Sequence, residues 1–129
     1  MQFISTTGSP RPLGHYSQGI AHAGLIFVSG QLPLEADGTH RFDAPFDEQV
    51  RQAVKNLLAV VSGGGGSPAA VIKVTAYIVG AENWPVFDTV YAAAFGSHRP
   101  ARSVVPVPAL HHGYLVELDA VAAGSPGRE

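Results

Sequence analysis

The sequence predicts an α+β fold in which two helices pack on one face of a single β-sheet. Three observations carry that expectation. Two stretches, one from Phe46 to Val61 and one from Trp84 to Ala94, repeat apolar residues at three- and four-residue steps, the period of an amphipathic helix. Short apolar runs surround them, giving the order β-β-β-α-β-α-β-β. The last run places Val116, Leu118, Ala120 and Ala122 on one side, and Leu115, Glu117, Asp119 and Val121 on the other. Two helices cover only one face of a sheet. The second face is too apolar to stay wet and too polar to be a plain core, so it is expected to pack on a copy of itself.

Composition agrees with one compact domain over 1–129. The chain has 129 residues, 46% of them hydrophobic, which is ample for a core. Only 14% are charged, and a surface that poor in charge points to self-association. The net charge is −2 and the eight Lys and Arg residues are scattered, which argues against a nucleic-acid footprint. Cysteine is absent, so disulfides and thiolate chemistry are excluded. No signal-peptide pattern precedes the first strand, and no apolar run nears the ~18 residues of a spanning helix. A cytoplasmic protein with no membrane partner is expected.

Gln2 to Thr6 leans towards strand, and Gly8 to Gly14, with Pro10 and Pro12, is loop. Ile20 to Val28 holds two short strands broken at Gly24, a tight hairpin, and Gly30 ends the second. Asp37-Gly38 marks a turn. Pro45 suits the first turn of a helix, and Asp47 and Glu48 complement its N-terminal dipole. Its stripe is Phe46, Val50, Val54, Leu57, Leu58 and Val61, and Gly63 to Gly66 stops it. That glycine run lacks the Lys-Ser/Thr ending of a phosphate loop and reads as a C-cap and linker.

Ser67-Pro68 starts a short turn before a strand from Val71 to Val79, with Ile72, Val74, Ala76 and Ile78 expected on one face. Asn83 is the candidate N-cap of the second helix, with Pro85 in its first turn. Its stripe is Trp84, Phe87, Val90, Tyr91 and Ala94, and Gly96 ends it. Gly124 to Glu129 is expected to fray.

Between the helix and that tail lie two strands joined by a turn from Pro108 to Gly113. Arg102 opens the first, while Glu117 and Asp119 sit in the second. Charges inside β-branched runs are costly unless paired or used. If the two strands form a hairpin with Val107 opposite Tyr114, Arg102 falls opposite Asp119 and diagonal to Glu117, all on one face. The trio then reads either as a structural ion pair or as a ligand site.

Three blocks resemble one family. The run Pro100-Ala101-Arg102-Ser103, followed by the glutamate of V-E-L-D-A-V-A, resembles the C-terminal signature of the RidA/YjgF/UK114 proteins. GHYSQG (Gly14–Gly19) is similar to its G-P-Y-S-Q segment, and VSGQLP (Val28–Pro33) to its S-G-Q-[IL]-P segment. The resemblance covers nearly the whole chain. It implies a chorismate-mutase-like α+β fold, a homotrimer with clefts between subunits, and hydrolysis of small enamines or imines such as 2-aminoacrylate to 2-oxo acids and ammonia, without a cofactor.

By that resemblance Arg102 binds the substrate carboxylate, a task suited to its planar fork of donors, and Glu117 positions and activates water. Tyr16, Ser29, Gly30 and the backbone near Val104 orient the substrate. Asp88 stands where some relatives carry a ligand-contacting asparagine, and an ionised carboxylate there would repel a substrate carboxylate. His15 replaces the usual proline before Tyr16. These departures keep open a non-catalytic module that binds a small carboxylate. The ribonuclease activity sometimes attached to the family is a weaker alternative, since no basic stripe exists.

No metal is expected. His111 and His112 are adjacent, so in extended chain they point to opposite faces and read as a solvated turn. A serine-hydrolase reading of Ser29 or Ser103 fails for want of a G-x-S-x-G elbow.

Overall fold

The structure, a computed structural model, describes residues 1–124. The strands are β1 (Gln2–Ile4), β2 (Gly19–His22), β3 (Leu25–Gln31), β4 (Val71–Val79), β5 (Ala101–Val107) and β6 (Val116–Ala123). The helices are α1 (Phe46–Gly63) and α2 (Trp84–Phe95). One sheet takes the order β1-β2-β3-β6-β4-β5. Every neighbouring pair is antiparallel except β4 and β5, which run parallel.

Helix α1 starts directly after Pro45, with Asp47 and Glu48 in its first turn. Val50, Ala53, Val54, Leu57, Val60 and Val61 are buried, and Phe46 and Leu58 pack at the margin. This is the expected stripe, widened by Ala53 and Val60. Fully burying a Val or Leu contributes roughly 1.5–3 kcal/mol, whereas the Arg51–Asp47 pair at 2.7 Å is exposed and screened by solvent. The stripe therefore docks the helix, against β3, β6 and α2. The helix ends at Gly64, whose N–H donates to the carbonyls of Val60 and Val61.

Three local expectations need correction. A bulge between Val71 and Lys73 turns Ile72 outward, so Val71, Val74, Ala76 and Ile78 form the buried face of β4. In α2, Phe95 replaces Ala94 in the stripe, and Trp84 is exposed. Asn83 precedes α2 but does not cap it with its side chain, which donates to the Val79 carbonyl (2.9 Å). Of the tail expected to fray, only Gly124 lies within the described residues, and its N–H donates to the Gly24 carbonyl at 2.8 Å.

The largest correction concerns the last two strands. They do not form a hairpin. Strand β5 follows β4 through α2, and a crossover of that kind delivers a parallel neighbour. Strand β6 instead lies between β3 and β4. Pro106 has no N–H to give a second partner, which suits β5 to the sheet edge. Arg102 is therefore aligned with buried Val74, and Glu117 and Asp119 with Tyr77 and Thr75. Arg102 faces the helices, and the two carboxylates face the open side.

The β2–β3 turn is the expected tight hairpin, closed by Ala23 and Gly24 between the pair His22 and Leu25. Both turn residues have positive φ, 51° and 80°, the backbone of a type I′ turn that favours Asn-Gly. A left-handed conformation costs a residue with a Cβ about 1–2 kcal/mol, less for asparagine. Ala23→Asn should therefore raise stability by about 0.5–1 kcal/mol. A thermal melt should show a midpoint a few degrees higher, and an unchanged or lower midpoint would contradict the turn assignment.

Candidate active site

The site grows from a buried amide. Gln18 Nε2 donates to the carbonyls of Thr6, Ser9 and Pro10, and its Oε1 accepts the Thr6 N–H at 2.7 Å. One side chain thus folds the Gly- and Pro-rich N-terminal loop against β2 and β3. Ser9 Oγ donates to Gln31 Oε1 (3.1 Å), and the Gln31 amide donates to the Ser29 carbonyl. Ser29 is tied on both sides: its Oγ donates to the Ser17 carbonyl (2.6 Å), and its N–H to the Gln18 carbonyl (3.0 Å).

Opposite this network, β3 bulges. The register with β6 shifts between Val28, aligned with Ala120, and Gln31, aligned with Leu118. The extra residue bends the strand and re-aims its side chains. It also brings Gly30 over Glu117: a Cβ added at Gly30 would lie 2.8 Å from Glu117 Oε2 and 3.2 Å from its Cδ. Gly30 was expected to help orient the substrate, and in the structure the Glu117 carboxylate occupies the space beside its backbone.

Beside this carboxylate opens a cavity of about 530 Å³, lined by Tyr16, Ser29, Gly30 and Glu117 together with Arg11 and His111. Leu13, Leu32 and Leu34 supply apolar wall. Glu117 is half-buried. Desolvation raises its pKa above the ordinary carboxylate range, the negative charge of Asp119 raises it further, and His111 partly offsets both. Burial raises Asp119 as well, against a hydrogen bond from Tyr77 and the charge of Lys73. A carboxyl so placed can accept a proton from water and return it to a substrate.

Arg102 stands elsewhere. Its Nη1 donates to Asp88 Oδ1 at 2.8 Å, and its guanidinium carbon lies 5.0 Å from the Tyr91 ring centroid and 5.6 Å from that of Phe87. The aromatic faces of α2 hold the guanidinium in place. Asp88 is mostly exposed, so the pair contributes at most ~1 kcal/mol, and a ligand carboxylate can displace it. The Tyr91 hydroxyl is buried without a hydrogen-bond partner among the described residues, and burial pushes its pKa up to about 12 against the opposing charge of Arg102. Val104 is partly buried against the core from β5.

Of the residues expected at a site, the structure gathers Tyr16, Ser29, Gly30 and Glu117, and leaves Arg102, Asp88 and Val104 on the helix side. Gln18, Gln31, Arg11 and His111 were missed. Gln18 stands inside the GHYSQG block, and a polar residue amid glycine and serine gives no periodic signal of burial. The histidine pair does sit on an exposed turn (His111–Gly113), but that turn forms one wall of the cavity. Among the described residues, no group of three or more His, Asp or Glu is placed to hold a metal ion.

A half-dry carboxylate beside a cleft, on a mixed sheet covered on one face by two helices, places the chain in the α+β class. The chain belongs to the family described as Endoribonuclease L-PSP, whose family model matches residues 6–124. It is 34% identical over 121 residues to a RutC family protein of Pyrococcus horikoshii, covering 94% of this chain and 96% of the relative. It is 31% identical over 123 residues to a 2-iminobutanoate/2-iminopropanoate deaminase of Mus musculus, covering 95% and 91%. The solved structure of E. coli TdcF with bound serine superposes with a TM-score of 0.91 at 30% identity, covering 97% of this chain and all of that one. The family expected from the three sequence blocks, and its fold, are those observed.

Two predictions follow from the seat of Glu117. Gly30→Ala should leave the fold intact but displace the carboxylate, abolishing any activity that depends on it; a crystal structure with Glu117 unmoved would refute this. Because burial raises the Glu117 pKa, the native chain binds more protons than the unfolded one just above the ordinary carboxylate range. Its stability therefore falls as pH rises through that window. Glu117→Gln removes the penalty, so the variant should melt higher than the wild type at pH 8. The difference should vanish as the pH falls to the ordinary carboxylate range.

Proposed function

We propose that the chain is a hydrolytic deaminase of small enamines and imines derived from amino acids, releasing 2-oxo acids and ammonia. The observation that carries this reading is the Glu117 carboxylate, raised in proton affinity and seated against bare backbone in a cleft walled by Ser29, Tyr16 and Gly30. The deaminase name of the mouse relative supports it. An enamine protonated at carbon becomes an iminium, water adds to that carbon as Glu117 takes its proton, and ammonia leaves. Addition of water and proton transfers complete the chemistry, so no cofactor is needed.

Arg102 is the proposed anchor for the substrate carboxylate. Within one chain it points to the opposite side of the sheet from Glu117, so both can touch one small substrate only if a second copy supplies one of them. The open sheet face exposes Phe27 beside Glu117 and Asp119, and edge strand β5 is free along one side. We therefore propose a homotrimer, the assembly that the resemblance implies, with each cleft combining Arg102 of one subunit and Glu117 of another. Asp88 would release Arg102 when substrate arrives. No helix among the described residues is long and apolar enough to cross a membrane, and we place the protein in the cytoplasm.

The Arg102–Asp88 contact favours a second reading. A guanidinium already satisfied by an internal carboxylate suits a module that binds a small carboxylate or amino acid without turning it over, and bound serine in TdcF supports such a ligand. Release of 2-oxo acid from freshly generated 2-aminoacrylate separates the two. A rate equal to buffer, with thermal stabilisation by 2-oxo acids, would leave the module.

Arg102→Lys keeps the charge but loses the fork. Charge-assisted hydrogen bonds contribute roughly 1.5–3 kcal/mol each, so KM should rise by about one to two orders of magnitude. Glu117→Gln should lower kcat by ~10²–10⁴-fold with little change in KM. Altered melting temperatures with unchanged kinetics in both variants would refute the assignments.

A further inference from the structure

We infer that His111 is a second catalytic residue of this cleft, the group that protonates the departing amine while Glu117 handles the attacking water. The inference rests on the deaminase reading above. Hydrolysis of an iminium requires a proton to leave water, one to reach nitrogen, and one to leave the carbinol oxygen. A single carboxylate that has just accepted the proton of water must carry it to nitrogen before the C–N bond can break. A second titratable group removes that bottleneck, provided it faces the same space.

His111 meets the requirement. It lines the cavity that holds Glu117, and its charge acts on that carboxylate. The turn is shaped for this. His112 adopts a left-handed backbone, φ 62°, and Gly113 follows with φ 75°. The chain then drops into buried Tyr114, whose hydroxyl meets His40 Nδ1 at 2.7 Å and accepts the Arg41 N–H at 3.0 Å. The His111 ring rests 3.7 Å, centroid to centroid, from that of His112. His112 in turn meets His40 edge-on at 4.7 Å.

Burial, and after it the positive charges of His111 and His40, lower the His112 pKa. The charged and titratable groups that share the cavity with His111 are Arg11 and Tyr16 from the N-terminal loop, His112 beside it and Glu117 from β6, while Asp119 acts on Glu117 and His40 on His112. Imidazole is the side chain most often used as a general acid or base, so His111 has the chemistry to give a proton to nitrogen and to take one back.

The protons balance. Ionised Glu117 takes one from water as its oxygen bonds to the iminium carbon, giving a neutral carbinolamine. Protonated His111 gives one to nitrogen. The C–N bond breaks with its electron pair on nitrogen, the carbonyl forms, and the hydroxyl proton returns to His111. Glu117 then protonates ammonia, and ammonium leaves with both side chains restored.

The test uses the full chain and 2-iminopropanoate generated in situ, with 2-oxo acid release followed from about pH 5 to 9. The wild-type rate should fall on the acidic side, where Glu117 becomes protonated. His111→Asn should lower kcat roughly 10²-fold, with KM within about threefold. Added imidazole should restore part of the kcat of His111→Ala, which a structural role would not permit. An inactive wild type removes the deaminase reading and this inference together. An active wild type, with His111→Asn keeping its rate and pH profile, removes this inference alone. So does failure of imidazole to rescue a folded His111→Ala.

Discussion

The contact between Glu117 and the bare backbone of Gly30 is the constraint on which the site depends. Seating a carboxylate there requires β3 to bulge against β6, and a bulge leaves backbone groups that the ladder no longer pairs. Ser29, Gln31 and Gln18 tie down the backbone around it: the Ser29 N–H reaches the Gln18 carbonyl, its own carbonyl accepts from Gln31, and Gln18 gathers the preceding loop. The loop in turn places Tyr16 and Arg11 at the cavity. Removing the glycine would displace the carboxylate, and removing Gln18 would leave a set of buried carbonyls without a donor.

The second organising fact is that the sheet separates its charges. Arg102 and Asp88 lie on the helix side, against aromatic rings, while Glu117, Asp119 and Tyr77 lie on the open side. On the open face, two carboxylates with raised pKa values share a partly dry surface, an arrangement that opposes folding near neutral pH. A chain selected for stability alone would carry amides there. Partly buried charge that weakens the fold is the cost that the proposed active site would impose.

Much of this was legible in the sequence. The stripe of α1 and the alternation in β6 report burial directly, because apolar area decides which way an element faces. The block VSGQLP marked Ser29 and Gly30. The partner of β5 was not legible from alternation, since a strand's pattern says which face is buried but not which neighbour it has. Pro106 held the missing information: a strand residue without an N–H belongs at an edge. The bulges at Ile72 and at Ser29-Gly30 escaped because a one-residue slip is invisible to periodicity. Gln49 and Asn56 escaped because polar residues on a helix read as exposed. In the fold their amides hold the carbonyls of Ala44, Leu32 and Leu34, and Gln49 also accepts the Leu115 N–H.

The central position of β6 bears on how the chain reaches this state. It is the last strand in chain order, yet it lies between β3 and β4 and joins the two halves of the sheet. During synthesis the β1–β3 unit and the β4–α2–β5 unit can each form local pairs, but both present an unsatisfied edge until β6 is released. Contacts of such long sequence separation form slowly, and waiting strand edges invite pairing with other chains. The cavity cannot exist until β6 has been made and inserted. The nascent chain is thus exposed to aggregation for the whole interval before β6 closes the gap between β3 and β4.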